Sequence, residues 1–578
     1  MFNGFAAYDD EGYFLITLRE YLSGQPLFTQ SYPIHGPFYY EVMAGLFKLL
    51  GLVPSHDSGR YLTLAVWLLA SLMAGLVAFR LTRNSWLGIA AELVAFRALT
   101  GLVNEPLHPS GLVALLLVGL VAAASFRSAR PRATTVLIGA IVGALCLIKI
   151  NVGAFAAVAV AFAWAGSLSH SWKRLLLPLM AVVVATLPLV LMASMLSNTW
   201  VLEFAVVELL SAAAIGVACV LAAPRPLPVQ SAKWLTIGGL IIVIATEGIA
   251  LAGRTSPENL LNVTLLQPLK LAGLFAVPVT IGIGNDLWAG FWLLVAIGIC
   301  GPLARAASLP VAGLVQVLGG LLMWLSVVLL PNSTFLVALP FAWMATQAPR
   351  DGEADSAGTY FRLFVPVLVI LESIQAYPVA GTQQSLAALG LVPLGAVMLS
   401  DGIRRLRHAN AARSTLALWV APAALLINVA GFSLFGVLAI DGFASAAPLG
   451  LPGADSVRMP AQKGAQVRAL VASIDRDCTS FITFPGMNSF YIWTAQDPPA
   501  ELSSEVWWLV LNSEEQQLLL FQLVGRRHLC VVKNQRVIDM WAAGRQIPDR
   551  PLVAFIDREF VSAGSYGEYE LLVRVHEP

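Results

Sequence analysis

The sequence predicts a polytopic α-helical membrane protein ending in a small α/β domain, and three observations carry that prediction. Only 12% of the 578 residues are charged, about half of the roughly 25% usual in soluble proteins. The chain is 58% hydrophobic with a mean hydropathy of +0.76, and apolar stretches long enough to cross about 30 Å of hydrocarbon recur through its first three quarters. Past residue 440 the composition changes to alternating helix and strand patterns. A soluble chain of this length would divide into several domains, each needing a charged surface that is not there. The balance of 35 Lys+Arg against 34 Asp+Glu excludes a polyelectrolyte partner such as nucleic acid. Five cysteines are too few for a disulfide framework and lack metal-type spacing.

Helical spans are predicted at 59–80, 85–103, 107–124, 133–150, 152–167, 174–196, 200–222, 234–252, 287–303, 309–330, 333–347, 361–380, 384–400 and 414–436, fourteen in all. The loops then sort by charge. One set carries Arg80/Arg83, Arg127/Arg130/Arg132, Lys173/Arg174, Arg225/Lys233, Arg305, Arg350/Arg362 and Arg404/Arg405/Arg407/Arg413. The alternate set is poor in Lys and Arg, so the first is assigned to the cytoplasm and the second faces outward. Even parity puts both the N-terminal segment and the C-terminal domain outside. An outward start without a signal-peptide pattern leads to the expectation of one further transmembrane helix upstream of residue 1. Three regions follow: an outward first loop at 1–58, the spans at 59–437 and the outer domain at 438–578.

The first loop is the most informative segment. "AAYDDEGYFLITLREYLSGQPLFTQSYPIHGPFYYEVMAGLFKLLG" opens on three consecutive carboxylates, Asp9, Asp10 and Glu11, followed by two amphipathic stretches. These read most simply as helices lying in the membrane interface, and the carboxylates as a helix start favoured by the dipole. A functional role for carboxylates at the membrane surface is the second reading.

"YDDEGYFL" followed by "YPIHGPFYYEV" resembles the first outward loop of the GT-C superfamily of membrane glycosyltransferases, and more narrowly bacterial relatives of the protein mannosyltransferase and aminoarabinose transferase families. The multi-span layout and outer C-terminal domain fit the same family, which normally has a transmembrane helix before the acidic motif. The resemblance implies a polyprenyl-phosphate-linked sugar as donor, an extracytoplasmic lipid, glycan or protein as acceptor, and the bacterial cytoplasmic membrane as location. It makes Asp10 the base, with Asp9 and Glu11 orienting it or Glu11 helping to bind a divalent metal cation, and it places His35 among the donor contacts.

Other candidates follow along the chain. "VNEPLHPSG" puts Glu105 and His108 at the mouth of two spans, a pair suited to a metal ion or to the leaving phosphate, or to a plain helix cap. Lys149 interrupts the apolar "CLIKINVG" near the outer surface, where it binds a lipid phosphate as a point charge or snorkels to the interface. The long loop at 253–286 offers Arg254 and Lys270 as phosphate contacts or as the basic rim of an interfacial helix. Glu92 and Arg97 are read as structural, and Glu203, Glu208, Glu247 and Glu372 are ambiguous. Cys478 and Cys530 fall in strand-like segments of the outer domain, where an oxidising compartment permits a disulfide. The aromatic "PGMNSFYIWT" reads as core or as a seam against the membrane domain. A membrane glycosyltransferase is the leading reading; a multi-span transporter or lipid flippase is the alternative, and a non-catalytic assembly protein the third.

Overall fold

A computed structural model of the chain describes residues 3–29, 34–126, 130–221, 231–271, 276–279, 281, 283–300, 309–329, 334–348, 356–379, 381–409, 411–500 and 506–576. Among the described residues ten helices are long and apolar enough to cross a membrane, from His56–Thr82 to Ala417–Ser445. Four shorter apolar helices, Ser110–Ser125, Pro131–Cys146, Gly284–Cys300 and Thr334–Thr346, fall on the other predicted spans. The shortfall from fourteen has local causes. Pro131 and the turn at Leu147–Lys149 bound one of the four. The stretch Leu339–Thr346 winds as a 3₁₀ helix behind Pro340, narrower than an α-helix, and its Leu339, Phe341, Trp343 and Ala345 are buried.

The first loop folds into helices α1 (Asp10–Leu22) and α2 (Pro37–Leu50). Asp9 caps α1 by accepting the Gly12 N–H at 3.1 Å, and Asp10 and Glu11 in the first turn complement the dipole. Pro37 starts α2 and Gly51, at φ 63°, ends it. A Ser55–Ser58 capping box opens α3 (His56–Thr82). It is followed by α4 (Ser85–Leu99) and α5 (Ser110–Ser125).

One expectation about this loop is corrected. Helix α2 keeps an exposed apolar end at Leu49 and Leu50, but α1 does not lie in an interface: Tyr13, Phe14, Leu15, Ile16 and Leu18 are each 0% exposed. The apolar face that suggested lipid is covered by protein instead, because the C-terminal domain sits on it. Arg19 of α1 donates to the Tyr491 and Gln496 carbonyls and pairs with Asp497 at 2.9 Å. Asp57 at the head of α3 accepts the N–H groups of Asp455 and Ser456.

The C-terminal domain is a four-stranded mixed sheet carrying helices. Strand Ser480–Phe484 runs parallel to Leu529–Lys533, which pairs antiparallel with Tyr569–Arg574, itself antiparallel to Phe560–Tyr566. Parallel neighbours need a crossover, supplied here by 485–528 with the helix Ser513–Leu523. Cys478 and Cys530 form the disulfide left open by the sequence, stapling the first two strands across a separation of 52 residues. Replacing both by Ser is expected to remove roughly 2–4 kcal/mol, read as an earlier unfolding midpoint of the purified protein that reduction of the wild type reproduces. An unchanged midpoint would show that the sheet needs no staple.

Candidate active site

At the end of the bundle that carries the C-terminal domain, the first turn of α1 meets the α4–α5 connection. Asp10, Glu105 and His108 each present a ligand atom there, and these atoms lie within 4.8 Å of one another. Glu105 is 11% exposed and His108 9%. The Thr382 hydroxyl lies 2.9 and 3.0 Å from the two Glu105 oxygens, and His108 Nδ1 accepts the Ser110 N–H at 3.1 Å. Burial pushes the Glu105 carboxyl up, against the Thr382 bond and the charge of Lys149. Burial, then Lys149, then His35 hold the His108 imidazole well below its usual range. His108 is therefore neutral at physiological pH, the form that ligates metals. Two carboxylates and a neutral imidazole in a shielded spot fit a divalent cation such as Zn²⁺ or Mn²⁺.

The other two carboxylates of the motif are committed to protein partners. Glu11 forms a two-pronged pair with Arg60, with Nε and Nη2 donating at 2.8 and 2.7 Å, and lies 3.0 Å from His56 Nδ1. Burial pushes its carboxyl up, but the charges and hydrogen bonds of His56 and Arg60 outweigh that and hold it down at about 2. Asp9 is 1% exposed and accepts the Ser489 N–H at 2.6 Å and the Ser489 hydroxyl. Three neighbours in sequence thus point three ways: Asp9 is the non-helical cap, and Asp10 and Glu11 stand about 100° apart around the first turn. Only Asp10 faces the Glu105–His108 pair.

Beside this cluster lies a cavity of about 230 Å³, lined by His35, Lys149, Asn151, Thr264, Tyr377 and Gln383 among others. His35 stacks on Phe14 with ring centroids 5.6 Å apart and meets His108 edge-on at 5.3 Å. Its Nδ1 is buried without a hydrogen-bond partner among the described residues. Gly36 is required here: a Cβ would come within 2.2 Å of the Leu147 carbonyl, whereas Gly36 N–H instead donates to Ile148. That contact clamps the start of α2 to the turn bearing Lys149, and so sets His35 opposite Lys149.

Of the sequence-predicted residues, the fold gathers Asp10, Glu105, His108, His35 and Lys149 into one region. Arg254 and Lys270 are exposed and are not among the described residues lining the cavity. Sequence reasoning missed Thr382, Arg60, His56 and Ser489. Arg60 and His56 carried a signal, being a charged residue and an imidazole at the head of a span, where ionisable groups are costly unless used. Thr382 and Ser489 carried none.

No protein-family model matches the sequence, and no curated protein matches it. Among solved structures, ArnT from Cupriavidus metallidurans bound to undecaprenyl phosphate superposes with a TM-score of 0.51 over 99% of this chain and 95% of its own, at 12% identity. The chain has the GT-C fold. The Archaeoglobus fulgidus oligosaccharyltransferase tethered with an acceptor peptide also matches, with a TM-score of 0.43 over 98% of this chain and 70% of that one, at 13% identity; the fold assignment rests on the first match. Within the GT-C fold the cluster stands where the first loop and the α4–α5 connection converge under the C-terminal domain.

Proposed function

We propose that this protein is a membrane glycosyltransferase that moves a sugar from a polyprenyl-phosphate donor to an acceptor on the extracytoplasmic side of the bacterial cytoplasmic membrane, by inverting displacement. The observation that carries the reading is the convergence of Asp10, Glu105 and His108 beside a cavity walled by His35 and Lys149. The carboxylates and the cationic wall of the cavity are joined through the His35–His108 ring contact at 5.3 Å. The GT-C neighbour bound to undecaprenyl phosphate supports the donor class. The Cys478–Cys530 disulfide supports placing the C-terminal domain in an oxidising compartment.

In this reading Asp10 takes the proton of the acceptor hydroxyl or amine as that atom attacks the anomeric carbon. The bond from that carbon to the phosphate oxygen breaks, and the electron pair leaves on the phosphate. Lys149, a compact charge at the cavity wall, holds the phosphate and stabilises the charge it gains. His35, neutral because burial and then Lys149 hold its pKa well below the usual range, offers a hydrogen bond without competing for the proton. A divalent cation, held by Asp10, Glu105 and His108, would supply charge stabilisation at the phosphate.

The test is transfer of labelled sugar from polyprenyl-phosphate donors by the purified protein in lipid vesicles, with and without a chelator. Label passing to acceptor, with free polyprenyl phosphate released in equal amount, is the expected result. Loss of transfer on chelation and recovery with Zn²⁺ or Mn²⁺ is expected for the cation. Failure with every donor by a folded protein would sink the reading.

A transporter is the second reading, and one observation favours it. Glu208 and Glu372 are buried within membrane-spanning helices at 0% and 4% exposure, Glu208 bonded to Ser373 at 2.7 Å and Glu372 to Gln375. Intramembrane carboxylates commonly mark ion paths. Movement of donor lipid across vesicles without sugar transfer would support it.

A further inference from the structure

The C-terminal domain reaches the acidic motif at one point. The strand Ser480–Phe484 leads through 485–488 into the short helix Ser489–Trp493, whose first residue faces Asp9. Ser489 donates its backbone N–H to Asp9 Oδ2 at 2.6 Å and its hydroxyl to Asp9 Oδ1. Asp9 Oδ1 in turn accepts the Gly12 N–H, so one carboxylate joins the C-terminal domain to the first turn of α1. Asp9 sits in the left-handed region, at φ 60° and ψ 41°, which a non-glycine residue keeps only when its surroundings hold it there. Gly12 shows how close the approach is: a Cβ on it would lie 2.2 Å from the Ser489 nitrogen and 2.6 Å from its hydroxyl oxygen.

We propose that Ser489 is a positioning residue for the transfer reaction: by gripping Asp9 it fixes the first turn of α1, and with it the direction in which Asp10 meets Glu105 and His108. This rests on the reading of Asp10 as base.

The experiment compares the full-length wild type with Ser489→Ala in amide exchange along the chain, with residues 6–18 as the region of interest, and in kcat and KM for the polyprenyl-phosphate sugar. Expected are faster exchange at Gly12 and Tyr13 and a fall in kcat of about ten- to a hundredfold, the scale of a misaimed catalytic group. KM should stay essentially unchanged. Ser489→Cys, similar in size but a weaker donor, should fall between the two, and it carries the same test if Ser489→Ala does not accumulate. Unchanged exchange and kcat would overturn the proposal. So would a loss of activity with a lowered melting temperature and exchange raised throughout the chain rather than over residues 6–18, which is general weakening. Exchange that responds to Ser489→Ala while the wild type itself shows no transfer activity would overturn the glycosyltransferase reading, while leaving Ser489 as the residue that fixes α1.

Discussion

Asp10→Asn is expected to lower sugar transfer by about two to four orders of magnitude, the usual contribution of a general base, while the protein still folds. The substitution keeps the shape of the side chain and removes only its capacity to take a proton. Little stability should go with it, because α1 is anchored by its neighbours: Asp9 supplies the cap and Glu11 the pair with Arg60. Initial rates with a polyprenyl-phosphate donor, beside a melting curve, give the answer. A rate equal to wild type would move the proton acceptor to Glu105, whose raised carboxyl is the other candidate in the cluster. A lost rate with a collapsed melting curve would mean that the structural account of α1 is wrong.

The second large effect is on stability. Arg60→Ala leaves Glu11, 4% exposed at its side chain, ionised beside His56 without its main partner, and removing one partner of a buried pair costs about 3–5 kcal/mol. Replacing both, as Glu11→Leu with Arg60→Met, should cost much less, since two desolvated charges give way to apolar packing. Arg60 also donates to the Gly4 carbonyl at 2.9 Å, so part of the loss should appear as fraying ahead of Asp9. The pH dependence has a definite sign. The Glu11 carboxyl is depressed from its ordinary 4.5 to about 2, so the pair stabilises the fold above pH 4.5, and that stabilisation drains away as pH falls from there toward 2. In Arg60→Ala the acid limb of the melting profile should flatten over that window. Equal melting temperatures for wild type and Arg60→Ala would reduce the pair to a bystander.

Hydropathy made the bundle legible because lipid acts on every residue of a long helix alike, and each of the fourteen predicted stretches falls on an apolar helix of the structure. What it could not rank was depth. Ser110–Ser125 and Thr334–Thr346 are shorter apolar helices, and an apolar helix buried in protein and one facing lipid have the same composition. The mistake over α1 has the same origin, since amphipathicity reports that a face is covered and not by what. At the site, Glu105, His108 and Lys149 drew attention as ionisable groups beside hydrocarbon, and Asp10 and His35 through the resemblance of the first-loop motif. The division of labour within Asp9–Asp10–Glu11 was not legible. It is set by Arg60, 49 residues from Glu11, and by Ser489, 480 residues from Asp9, and no local pattern encodes contacts at such separations. Sequence alone also left Cys478 and Cys530 as a permission, because parallel pairing of their strands in that register is what brings the two together.

The contact between Asp9 and Ser489 closes a loop of 480 residues. At about 5–20 residues per second of synthesis, a ribosome needs roughly half a minute to a minute and a half to travel from one partner to the other. Throughout that interval the helices accumulate in the bilayer while Asp9 has no Ser489 to hold it. The first turn of α1 is therefore left without its grip from the far end of the chain until the C-terminal domain has been made.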